Sequence, residues 1–144
     1  GSQEIEAFKT LPPFPRHDAE RLSYLLLMQG LPAVAEHDLI KFGDVITQLQ
    51  RSVGEHFAAA QGGIFTSSEV AAVMDRLQQQ GAVAIGQTSW GPTGFCAVQG
   101  EEYANALVTE LKQKFAHFKN LSFTIASARN SGGQIITAKE QDNK

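Results

Sequence analysis

Two short apolar runs, Ala82-Val83-Ala84-Ile85 and Phe95-Cys96-Ala97-Val98, flank nine residues, Gly86-Gln87-Thr88-Ser89-Trp90-Gly91-Pro92-Thr93-Gly94. This arrangement leaves the middle of the chain little local choice. Four-residue apolar runs bounded by glycine and proline are too short for helices and the right length for buried strands. The three glycines permit positive φ or close approach to a ligand. Pro92 stiffens the turn and biases Gly91 toward extended geometry. The expectation is two strands joined by a tight loop. Thr88, Ser89 and Thr93 bring hydroxyls to that loop and Gln87 an amide. A loop with free N–H groups and hydroxyls suits an anion, phosphate above all. A turn whose polar groups satisfy one another explains the same composition, so both readings stay open at this point.

The chain has 144 residues, enough for one domain with its own core. Its 42% hydrophobic and 19% charged content is that of a globular protein and not of a disordered one. A net charge of −3 without any basic run argues against nucleic acid as a partner. No apolar stretch reaches membrane-spanning length and no signal peptide is visible. The single cysteine, Cys96, has no internal disulfide partner. It reads as a small buried hydrophobe in a reducing, cytoplasmic setting. Gly1-Ser2 reads as a cloning remnant, residues 3–138 as one domain and 139–144 as a flexible polar tail.

In chain order, residues 3–10 alternate Ile5 and Ala7 with charged side chains and read as a strand. Leu11-Pro12-Pro13-Phe14-Pro15 reads as an extended connector or as a lining of the site. Asp18 is placed to cap a helix over 19–29, which Gly30 and Pro32 break. Leu39, Phe42, Val45, Ile46, Leu49, Val53 and Phe57 recur at three- and four-residue steps and predict a helix over about 38–59, with Asp38 as its N-cap. Gly43 and Gly54 inside it point to close packing against another backbone. Gln61-Gly62-Gly63 ends that helix. Thr66-Ser67-Ser68-Glu69 fits a capping box with Thr66 as N-cap, opening a helix to about Gln79. Glu101 and Glu102 open a further helix. Leu121 to Ala126 alternates as a half-buried strand, Asn130 to Gly133 is a turn, and Gln134 to Ala138 is a candidate last strand. Such an element set predicts an α+β fold, an antiparallel sheet with helices on one face.

The nine loop residues resemble the GQSSWGPTG signature of the β-ribofuranosylaminobenzene 5'-phosphate synthases, enzymes of methanopterin biosynthesis built on the fold of the GHMP small-molecule kinases. Thr88 stands where the signature has serine and keeps the hydroxyl. The resemblance covers nearly all of residues 5–127. It includes a Pro-Pro-Phe-Pro element at 12–15, a Glu36-x-Asp38 pattern and Gln61-Gly62-Gly63. It implies a ferredoxin-like GHMP C-terminal domain. It also implies a phosphoribosyl-type glycosyltransferase that condenses phosphoribosyl pyrophosphate with an aromatic acid, 4-aminobenzoate or 4-hydroxybenzoate, releasing CO₂ and pyrophosphate. In this reading Gly86, Gln87, Thr88, Ser89, Trp90, Gly91, Pro92, Thr93 and Gly94 bind substrate and phosphate. Pro13, Phe14, Gln61, Gly62 and Gly63 are secondary candidates. The N-terminal domain that carries the other two motifs of an ATP-binding GHMP fold has no counterpart here. The chain therefore reads as the C-terminal part of a longer enzyme, inactive alone, with a homodimer as a further option.

Beside the resemblance, there is no Gly-Lys-Ser/Thr phosphate loop. Ser89 is no nucleophile elbow, since Gln87 stands where that motif needs glycine. One cysteine and widely spaced histidines make no zinc site. Glu36-His37-Asp38 is the remaining cluster. Glu36 and Asp38 are candidates for acid–base work or for Mg²⁺, while a helix cap explains them more simply. The competing functions are a GHMP-type kinase using ATP, which the Trp90-Gly91-Pro92 core disfavours, and a non-enzymatic binding or dimerisation module.

Overall fold

The longest helix and the hairpin lie against each other, and the rest of the chain is disposed around that contact. The computed structural model describes residues 2–133; Gly1, the candidate strand at 134–138 and the tail at 139–144 lie outside the described residues. The elements are α1 (Ser2–Thr10), α2 (Arg16–Leu25), a π-helical turn (Leu26–Gly30), α3 (Leu31–Ala35), α4 (Leu39–Gln61), α5 (Ser68–Gln79), β1 (Val83–Gln87), β2 (Gly94–Ala97) and α6 (Glu101–Lys114). β1 and β2 pair antiparallel, as the loop between them predicts.

Helix α4 starts where the sequence places it. The Asp38 carboxylate accepts from the Lys41 N–H at 2.9 Å, and Gly62 ends the helix in a left-handed cap at φ +88°. Gly43 lets α4 meet β1 at backbone distance: a Cβ there would lie 2.3 Å from Val83 Cβ and 2.9 Å from the Ala84 nitrogen. A Cβ on Gly54 would fall 2.7 Å from Ile64 Cγ2. The close packing expected of both glycines is thus present. Two α4 side chains also serve the outward-facing amides of β1. Thr47 Oγ1 accepts from the Ile85 N–H at 3.0 Å, and Gln50 Oε1 accepts from the Gln87 N–H at 3.1 Å. The helix thereby seals a sheet edge that would otherwise carry unpaired donors.

The hairpin carries a bulge. Val83 faces Ala97 and Gly86 faces Phe95, so Ala84 and Ile85 oppose Cys96 alone, and Ala84 takes φ +55°. Its buried side chains meet a layer made by α5 and α6. Val73, Met74 and Leu77 from α5 join Ala82, Ile85, Leu107, Leu111 and Phe115 in one cluster, edged by Phe118, Leu121 and Phe123. Arg76 on α5 is ion-paired with Glu110 on α6, and the Tyr103 hydroxyl donates to the Gln80 carbonyl.

Five local expectations are corrected. Asp18 does not cap the second helix: α2 begins at Arg16 after Pro15, and Asp18 lies within its first turn. Residues 3–10 are helical, not a strand: Ala7 is buried at 5% exposure, Phe8 packs on Phe57, and Lys9 pairs with Glu6 across one turn. A two-residue alternation is too short to outweigh that spacing. Gly30 and Pro32 do not break the helix. The chain passes through a π turn, with the Leu31 N–H bonded to the Leu26 carbonyl, which accommodates the donor that Pro32 lacks. Gly30 packs closely, since a Cβ would lie 3.1 Å from Val45 Cγ1. The N-cap of α5 is Ser67, whose hydroxyl accepts from the Val70 N–H, and not Thr66. Residues 121–124 alternate as read, with Leu121 and Phe123 half-buried and Ser122 and Thr124 exposed, but Ile125 is exposed and the segment pairs with no strand among the described residues.

Candidate functional site

Gln87 is the polar side chain most deeply placed in the loop region, at 8% exposure. It ends β1, and strand alternation turns its side chain toward the segment after α4. Its Oε1 accepts from the Thr66 N–H at 3.0 Å. Its Nε2 donates to Gln61 Oε1 at 3.2 Å and to the Ser89 carbonyl at 3.3 Å. Gln61 in turn donates to the carbonyls of Gly63 and Ile64, both at 2.9 Å. Thr66 Oγ1 donates to the Trp90 carbonyl at 2.8 Å. Three amide and hydroxyl side chains thus clamp the 86–94 loop onto Gln61-Gly62-Gly63, which supports the expected adjacency of these two clusters.

The loop is internally braced as well. Thr88 sends its N–H (2.9 Å) and its hydroxyl (3.3 Å) to the Thr93 carbonyl, and the Gly91 N–H donates to the Thr88 carbonyl at 2.8 Å. Ser89 and Gly91 take left-handed φ values of +48° and +64°, and the Gly91–Pro92 peptide is cis. Gly91 is therefore not extended, as the following proline suggested. The space beside the loop glycines is also taken by the chain itself. A Cβ on Gly91 would meet Gln87 Oε1 at 2.9 Å and Thr66 Oγ1 at 3.0 Å, one on Gly86 would meet Gln50, and one on Gly94 would meet Val70 and Met74. Packing, and not the approach of a ligand, accounts for these glycines. Among the described residues no hydrogen bond engages the hydroxyls of Ser89 and Thr93, and both residues are exposed.

Trp90 packs edge-on against Phe57 at 5.2 Å between ring centroids. Phe57 continues to Phe8 at 5.6 Å and to His56 at 4.9 Å, and His56 to Phe14 at 5.0 Å. The Pro-Pro-Phe-Pro segment is thus tied to the loop through two intervening rings. A cavity of about 750 Å³ opens here, lined by Phe8, Arg51, Phe57, Gln61, Gly62, Gly63, Thr66, Gly86, Gln87, Ser89 and Trp90 among others. Arg51 brings a cation that the loop sequence lacks. Reading the sequence missed Arg51, Phe57 and Thr66 as site residues. The signal was present on α4 as Gln50, Arg51, Gly54, Phe57 and Gln61, a stripe of near-helical spacing beside the apolar one.

Glu36 and Asp38 do not join this site. They stand at the start of α4, whereas Gln61 ends it, 23 residues on, and an α-helix of that length spans roughly 34 Å. Both carboxylates reach Lys41, at 3.9 Å and 3.3 Å. The Lys41 N–H hydrogen bond holds the Asp38 carboxyl below its usual range, against partial desolvation and with help from the Lys41 ammonium. His37, at φ +58°, serves the turn before the helix. Among the described residues no three His, Cys, Asp or Glu side chains converge as metal ligands, and no helix is long and apolar enough to cross a membrane. Burial pushes the Cys96 thiol up, in keeping with an inert core cysteine.

A family model described as GHMP kinases C terminal matches residues 31–117, a span that takes in α4, the amide clamp, the loop and α6. The chain belongs to the GHMP kinase C-terminal family. Within the family it is similar to proteins named beta-ribofuranosylphenol 5'-phosphate synthase. It is 30% identical to that of Methanothermobacter thermautotrophicus over 92 residues, covering 64% of this chain and 27% of the relative. It is 28% identical to that of Archaeoglobus fulgidus over 141 residues, covering 94% and 40%. A 50-residue stretch is 42% identical to the Methanocaldococcus jannaschii protein, covering 35% and 15%. This GHMP C-terminal chain therefore spans less than half the length of the curated relatives it matches. No solved structure matches it.

Proposed function

We propose that this GHMP C-terminal chain is part of a synthase that joins a phosphoribosyl group, drawn from phosphoribosyl pyrophosphate, to an aromatic acid with release of CO₂ and pyrophosphate. The observation that carries the reading is the cavity beside the braced loop, lined by the aromatic residues Trp90 and Phe57 and by Ser89 and Arg51. The chemistry asks for these groups. The departing pyrophosphate needs donors and positive charge, and Arg51 with Ser89 supplies both. The aromatic acid needs a flat apolar face, and a half-buried Trp90 has one to offer. The names of the similar archaeal proteins, which refer to a ribofuranosylphenol 5'-phosphate, agree with such a product. The rest of the site, catalytic groups included, belongs in this reading to the part of the polypeptide that the relatives have beyond the matched stretch.

The test is calorimetric titration of the full-length protein with phosphoribosyl pyrophosphate and, separately, with 4-hydroxybenzoate and 4-aminobenzoate. Ser89→Gly keeps the left-handed backbone and removes the hydroxyl, and Arg51→Gln removes the charge. A lost charge-assisted bond is worth about 1.5–3 kcal/mol, so each variant is expected to bind the donor about tenfold or more weakly. Trp90→Ala is expected to weaken the aromatic acid alone. Wild-type affinities in all three variants would remove the loop and cavity from the site. Turnover of ATP in place of phosphoribosyl pyrophosphate would favour a GHMP kinase instead.

A further inference from the structure

Helix α5 turns two faces to different surroundings. Val73, Met74 and Leu77 enter the core. Ser68, Ala71, Asp75 and Gln78, spaced three and four apart, line the cavity beside the loop, which Arg51 and Phe57 line from α4. Asp75 is the one carboxylate and Arg51 the one cation among the described residues of that lining. Both are exposed, so a ligand can reach them. Among the described residues no ion pair or hydrogen bond engages either side chain. Local sequence offers Asp75 no cation. One turn away on α5 stand Ala71, Ala72, Gln78 and Gln79, and the neighbouring Arg76 is ion-paired with Glu110 of α6. The cavity thus carries a cation from α4 and a carboxylate from α5.

We propose that Asp75 selects the aromatic substrate: its carboxylate accepts a hydrogen bond from the para hydroxyl or amino group of the acid. This rests on the synthase reading and names which rings the site admits. A carboxylate offers only acceptors and repels pyrophosphate, so it suits the reactant that donates a proton or gains positive charge. The ring is that reactant. As the ring carbon bearing the carboxyl group bonds to C1 of the ribose, pyrophosphate leaves with the C1–O electron pair. The ring then holds the positive charge and shares it with the para oxygen or nitrogen, whose proton is drawn toward Asp75. Loss of CO₂ returns the C–C electron pair to the ring, and the proton stays on the substituent. A benzoate without a para donor leaves the carboxylate desolvated and unpaired, and the site rejects it.

The test is calorimetric titration of the natural full-length protein with 4-hydroxybenzoate, with benzoate and with phosphoribosyl pyrophosphate, each separately. Wild type is compared with Asp75→Ala and with Asp75→Asn, which keeps the shape of the side chain. Wild type is expected to bind 4-hydroxybenzoate about tenfold or more tightly than benzoate. Asp75→Ala is expected to lose that preference, Asp75→Asn to lose most of it, and both to keep the affinity for phosphoribosyl pyrophosphate, which also reports that they are folded. A wild type that binds the two acids equally, or variants that keep the preference, would overturn this proposal and leave the synthase reading standing. Variants that keep the preference and lose the phosphoribosyl pyrophosphate would assign the carboxylate to the donor, through its divalent cation, and overturn it as well. A wild type that binds none of the three would overturn the synthase reading and this proposal together.

Discussion

Gln87 shows how a residue chosen for one reason acts for another. It stands in the loop motif as a candidate ligand group, yet its amide is spent on Thr66, Gln61 and Ser89. Gln87→Met keeps the volume and leaves the Thr66 N–H without its acceptor. The expected cost is about 1–3 kcal/mol, read as a lower urea midpoint at unchanged slope. If stability is unchanged, water or a shifted Gln61 replaces the amide and the clamp is not a structural device. Gly91 makes a related point. Its left-handed φ and its contact with Gln87 and Thr66 make any side chain there a fold defect first, so Ser89, Trp90 and Arg51, which line the cavity, are the better reporters of a ligand.

At the scale of elements, α4 does two jobs at two ends. Its middle closes against β1, and Gly43→Ala sets two effects against each other. Alanine gains about 1 kcal/mol in helix propensity, while a Cβ 2.3 Å from Val83 Cβ and 2.9 Å from backbone forces the helix off the strand at a cost of typically 1–3 kcal/mol or more. Net destabilisation is expected in thermal unfolding, and a higher Tm would show that the helix and strand separate freely. The N-terminal end rests on Asp38. Its carboxyl is held below the ordinary value of 3.8, so its contribution to stability is present above that pH and is lost as pH falls through the lowered folded value. Asp38→Asn is expected to lower stability at pH 6 and to make little difference at pH 2, measured by urea unfolding at both. An equal effect at both would mean that the charge is irrelevant to the cap.

At the scale of the whole molecule, the periodicity of 38–59, the Asp38 cap, the Gly62 stop, the hairpin around 86–94 and the α+β class were legible, because each is a local pattern of hydrophobicity, capping or turn chemistry carried by adjacent residues. The family was legible too, since the loop residues are contiguous. Three things were not. Residues 3–10 became a helix because Phe8 reaches Phe57 and Ala7 is buried, contacts made nearly fifty positions away. The Glu36–Asp38 cluster separated from the loop because helix length, invisible in a list of polar residues, carries them apart. Arg51 and Thr66 entered the site only when α4 was laid along β1. The sequence by itself determined α4 with its two caps and the hairpin, through interactions within a few residues. Only the tertiary structure decided which polar groups are consumed and which remain free, because a hydrogen bond or a burial between distant segments depends on where packing sets them, and no local pattern encodes that.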